Sequence, residues 1–100
     1  MHGIDIQYDF VGDETEWEAA VAAFVAAIDA DDEIAGRFSY SVMKAREGNR
    51  RIHWGRWDVP ETVQTLQSRD YFKSFAAKLQ ALAGGTLSTT PVTRWTGTRS

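Results

Sequence analysis

The chain has 100 residues, with 11 Lys and Arg against 14 Asp and Glu, a net charge of −3, and no cysteine. The missing cysteines exclude disulfides, thiolate catalysis and cysteine-ligated metals. The charge balance has the wrong sign for the basic face that nucleic acid or an anionic membrane selects. A hydrophobic share of 43%, with 12% aromatic residues, suits one globular domain over residues 1–100.

Residues 4–11 alternate, with Ile4, Ile6, Tyr8 and Phe10 set against Asp5, Gln7 and Asp9. That pattern predicts a strand with one apolar face. Gly12 ends it, and Asp13 with Glu16 has the spacing of a helix N-terminal capping box. Trp17, Val21, Phe24 and Ile28 then stack on one helical face. The acidic run from Asp29 to Glu33 is unfavourable at a helix C-terminus, so this helix is expected to end near Ala30.

Arg37–Ala45 reads as a second strand, Glu47-Gly48-Asn49 as a hairpin turn, and residues 50–58 as a third strand. Pro60 suits the first turn of a helix, Ser68 interrupts it, and a longer helix runs to about Ala83 before Gly84-Gly85. The last strand, about 87–96, contains Pro91, which places it at a sheet edge or at a bulge.

The order β-α-β-β-α-β is that of a ferredoxin-like α+β fold, a four-stranded antiparallel sheet with two helices on one face. The other face carries either Trp57 with His53, or Trp54, and so is not purely polar under either parity. A second copy of the chain packed over it is the expected cover, giving an isologous homodimer. No apolar run approaches the ~20 residues that span a bilayer, and no basic-then-apolar leader opens the chain. A soluble cytoplasmic protein is expected.

Trp57-Asp58-Val59-Pro60-Glu61, followed by Leu66-Gln67-Ser68-Arg69-Asp70-Tyr71-Phe72 and Phe75, resembles the dimeric α/β-barrel superfamily. Within it the chain is similar to the antibiotic-biosynthesis-monooxygenase-like group. The resemblance implies a cavity lined by a polar amide on the first strand, by this tryptophan, and by a histidine on the second helix. Gln7 matches the first role and Trp57 the second. The third is missing, because Ser68–Phe72 contains no histidine, so neither haem nor another cofactor is expected.

His53 shares its parity with Gly55 and Trp57 and is the neutral-pH proton shuttle that a base-dependent reaction would need. Gln7, His53 and Trp57 are therefore the candidate catalytic residues. If Ile4, Ile6, Tyr8 and Phe10 face the helices, then Asp5, Gln7 and Asp9 point between the two sheets, where Asp5 could orient a ligand or pair with arginine. Trp57 and Trp95 are suited to stack on a flat ring and Tyr40 to donate its hydroxyl, making Asp5, Tyr40 and Trp95 the candidate substrate-binding residues. The same aromatics equally suit a filled core or a dimer interface.

Two readings follow. One is cofactor-independent oxidation of an aromatic or polyketide-like small molecule. The other is a non-catalytic dimeric scaffold or small-molecule binder. The spaced histidines give no transition-metal signature, and the third strand lacks the motif of RNA-binding sheets.

Overall fold

A computed structural model describes residues 2–98. Its elements are β1 (His2–Asp9), α1 (Glu14–Ala30), β2 (Phe38–Lys44), β3 (Arg50–Trp57), α2 (Pro60–Gln67), α3 (Asp70–Ala83) and β4 (Ser88–Thr93). The strands form one sheet in the order β2-β3-β1-β4, with every neighbouring pair antiparallel. This is the ferredoxin-like α+β architecture expected. No helix among the described residues is long and apolar enough to cross a membrane.

Local chemistry explains the element ends. The Asp13 carboxylate accepts from the backbone N–H of Thr15 (2.9 Å) and Glu16 (3.3 Å), satisfying two orphan donors at the start of α1. Pro60 opens α2, and α3 closes on Gly84 in the left-handed region at φ 57°. Pro91 lies on β4, an edge strand bonded to β1 alone, where its missing N–H breaks no second ladder. β4 ends at Thr93, short of the expected residue 96, which leaves Trp95 beyond the strand.

Register decides which side chains share a face, because directly opposed residues in antiparallel strands point the same way. His53 lies opposite Ile6 on β1 and Val42 on β2, and Trp57 lies opposite His2 and Phe38. The face covered by the helices therefore carries Ile6, Tyr8, Phe38, Tyr40, His53 and Trp57. The other carries Asp5, Gln7, Ile52, Trp54, Arg56 and Val92. Between sheet and helices lies the core, where Trp17, Phe24 and Ile28 of α1 meet Phe75, Leu79 and Ala83 of α3 and Leu66 of α2.

Candidate functional site

The N-terminal end of β2, the C-terminal end of β3 and the last turns of α1 enclose a cleft of about 550 Å³. Val25, Ile28, Phe38, Tyr40 and Trp57 supply its apolar wall, and the exposed Asp29, Arg37 and Asp58 supply polar groups. Phe38 and Trp57 are opposed across the β2–β3 ladder and stack with ring centroids 5.9 Å apart and planes 6° from parallel. Gly55 makes that stack fit. A Cβ there would stand 3.0 Å from Phe38 Cζ and 3.2 Å from Ile4 Cγ2, so only glycine lets the ring lie against the strand.

Behind the cleft runs a buried chain of polar side chains. Trp17 Nε1–H donates to Tyr8 Oη at 2.6 Å, Tyr8 Oη lies 2.8 Å from His53 Nε2, and His53 Nδ1 lies 2.6 Å from Tyr40 Oη. Tyr8 and His53 are fully buried, and Tyr40 is half-buried where it reaches the cleft. Burial pushes the His53 imidazole down to about 4, so it stays neutral at physiological pH. Burial also raises the Tyr8 and Tyr40 phenols above their ordinary value of 10.0, so both keep their protons.

The polar rim is held by its own bonds. The Asp58 carboxylate accepts from Thr62 Oγ1 (2.6 Å) and the Val59 N–H (2.7 Å), and these bonds together with the nearby Arg37 cation hold it below the usual carboxylate value. Asp31, in the loop that leads to β2, accepts from Arg69 Nε (2.9 Å) and Tyr71 Oη (2.7 Å). That pair pins the loop to the start of α3.

The site residues expected from sequence do not meet in one chamber. His53, Trp57 and Tyr40 lie on the helix side, whereas Gln7 and Asp5 lie on the opposite face of the sheet. The expectation that His53 enters the same cavity as Gln7 is corrected by register: pairing with Ile6 turns its ring toward the helices. On their own face Gln7 and Asp5 are already bonded. Gln7 Nε2 donates to Asp5 Oδ1 (3.1 Å), Trp54 Nε1 donates to Asp5 Oδ2 (2.8 Å), and Arg50 Nη1 donates to Gln7 Oε1 (3.1 Å). Trp95 is 93% exposed beyond the end of β4 and does not line the cleft that Trp57 lines. The sequence pattern marks Tyr8 and Trp17 as apolar-face residues only. Their place in the polar chain depends on long-range pairing, which no local pattern encodes.

No family model and no curated protein matches the chain. Solved structures do. Rv0793 from Mycobacterium tuberculosis aligns over 98% of both chains at 12% identity with a TM-score of 0.79. SnoaB, a cofactor-independent oxygenase from Streptomyces nogalater, aligns over 96% of this chain and 94% of its own at 16% identity and a TM-score of 0.76. A Caulobacter crescentus protein provisionally named an antibiotic biosynthesis monooxygenase aligns over 91% of this chain and 86% of its own, at 14% identity and a TM-score of 0.76. At these identities the likeness is one of fold, the fold shared with SnoaB and with the Caulobacter crescentus protein.

Proposed function

We propose that the cleft beside Trp57 binds a flat aromatic or polyketide-like small molecule and oxidises it with molecular oxygen, without a cofactor. The observation that carries this reading is the Phe38–Trp57 stack in the cleft wall, which Tyr40, the end of a buried polar chain, also lines. A ring laid against Trp57 gains contact area and face-to-face dispersion. Tyr40 then hydrogen-bonds a phenolic or carbonyl oxygen of the ligand and stabilises charge that develops on it. Once the ligand has lost a proton to solvent, its electron-rich anion reduces oxygen. A ring CH₂ becomes a carbonyl, one oxygen atom staying in the product and the other leaving as water. His53 positions Tyr40 in this scheme, and SnoaB of the same fold is described as a cofactor-independent oxygenase.

Oxygen uptake with an anthrone or a naphthol as probe tests the reading. Wild-type protein is expected to consume oxygen. A folded Trp57→Ala variant is expected to bind the probe about ten- to a hundredfold more weakly, the equivalent of losing ~1.5–3 kcal/mol of aromatic burial. Unchanged binding by that variant would place the ligand elsewhere. The non-catalytic reading draws on one observation: both nitrogens of His53 are already engaged, so the ring offers no free base to the cleft. Probe binding with no oxygen uptake would decide for it.

Two copies are proposed to pair through the open faces of their sheets. Trp54 is 42% and Val92 46% exposed there, beside the half-buried Ile52, Asp5 and Gln7. An isologous partner would cover this face and give Asp5 and Gln7 a place at the interface. Sedimentation at tens of micromolar is expected to give twice the chain mass, and Trp54→Asp to shift it toward one. A wild-type monomer at that concentration would remove the dimer.

A further inference from the structure

The geometry points to Tyr8 as the residue that sets the polarity of the cleft: it fixes the tautomer of His53, so that Tyr40 offers its proton rather than a lone pair to the ligand. The cleft is thereby selective for ligands bound through an anionic oxygen, a phenolate or an enolate. The inference about ligand class rests on the cleft reading above. The inference about the tautomer stands apart from it.

The direction of the chain follows from donor inventory. The Trp17 indole can only donate, and it donates to Tyr8 Oη. Tyr8 is fully buried, so its own proton needs an acceptor, and among the described residues His53 Nε2 at 2.8 Å is the one within reach. Nε2 must then carry no hydrogen. The single proton of the neutral imidazole sits on Nδ1, which lies 2.6 Å from Tyr40 Oη and donates to it. The opposite tautomer would aim two donors at Tyr8 Oη and strand the Tyr8 proton in the core. Burial that holds the ring neutral removes the doubly protonated alternative.

Tyr40 Oη thus receives a hydrogen bond, and its own proton has no acceptor among the described residues. Each bond along Trp17, Tyr8, His53 and Tyr40 polarises the next in the same sense, which strengthens the terminal O–H as a donor. Neither Tyr8 nor Trp17 lines the cleft, so both act as positioning residues.

Nitrogen-15 NMR reads the tautomer directly, since the chain has only 2 histidines. Wild-type His53 is expected to be protonated at Nδ1, and Trp17→Phe to leave that unchanged because Tyr8 still donates. Tyr8→Phe releases the constraint, and an Nε2–H population is expected to appear. Nε2–H in the wild type, or pure Nδ1–H in Tyr8→Phe, would overturn the assignment, and the wild-type spectrum decides even if the variant fails to fold. 4-Nitrophenol, whose anion is coloured, tests the ligand class. Bound to wild type it is expected to ionise about one pH unit lower than when free, a tenfold preference for the anion. Tyr40→Phe is expected to lose that shift, and Tyr8→Phe to reduce it. A bound probe with no shift would overturn the selectivity. Failure to bind at all would sink the cleft reading and the ligand class with it, while the NMR result still judges the tautomer.

Discussion

Between pH 6.5 and about 4 the protein is expected to lose about 3 kcal/mol of folding stability to one buried imidazole, His53. Above pH 6.5 the ring is neutral in both folded and unfolded chains and contributes no slope. As the pH falls below that value, the unfolded chain takes up a proton that the folded core refuses, because the ring is fully buried between two tyrosines. The loss ends near the folded value of about 4, below which both states are protonated.

Carboxylates leave the upper part of this window, above about pH 5, to the imidazole. Glu14, Asp31 and Asp58 are all held below ordinary values of 4.5, 3.8 and 3.8, so the stability they add is present above those values and is lost only at lower pH. Chemical unfolding of wild type and His53→Gln at about pH 7 and about pH 5 checks the point, because the amide cannot titrate over the histidine range. The wild type should lose stability between the two, and the variant should stay nearly level. A wild type that is equally stable at both would mean that His53 reaches water. The tyrosines act at the other end. With their folded values raised, Tyr8, Tyr40 and Tyr71 contribute stability that is complete below 10.0 and lost as the pH rises through those values.

Much of the fold could be read locally because local forces set it. The alternation through Ile4, Ile6 and Tyr8, the Asp13 cap, Pro60 at a helix start and Pro91 on an edge each carry their own physical reason. The face on which His53 lies could not be read that way. Parity within β3 groups His53 with Gly55 and Trp57, but joining that group to Ile6 and Tyr8 needs the β1–β3 register, set by residues more than 40 positions apart. Composition misleads here as well. The helix-facing set of β3 includes Arg51 and His53, while Ile52 and Trp54 face outward. A histidine bonded to two tyrosines escapes much of the usual penalty for burying a polar group, and an arginine lying 4.5 Å from the Trp17 ring gains from the contact. Hydropathy sees neither compensation, so the sequence pattern alone does not separate the face of His53 from that of Gln7.

Phe24→Ala is expected to cost about 3–5 kcal/mol, a large share of the ~5–15 kcal/mol that holds a domain folded. Phe24 is 4% exposed and stacks on Phe75 with centroids 4.1 Å apart and planes 5° from parallel. It also meets Tyr40 edge-on at 5.1 Å and 82°, and contacts Tyr71 and Phe72 at centroid distances of 6.1 and 6.4 Å. One ring therefore ties α1 to α3 and to β2. Its removal leaves a hole whose walls are held apart by two helices and a sheet, a geometry that collapses poorly. Trp95→Ala is the matched control. It removes a larger ring from a 93% exposed position and should change stability by no more than about 0.5 kcal/mol. Denaturant unfolding of both variants makes the comparison, and a Phe24→Ala loss near that of the control would mean that the aromatic cluster is not packed. The same substitution also tests the link from core to cleft. Tyr40 meets Phe24, Phe75 and His53 edge-on. Losing the Phe24 edge should free the Tyr40 ring to turn, so Phe24→Leu, which keeps most of the volume, should restore stability while still weakening binding to the cleft.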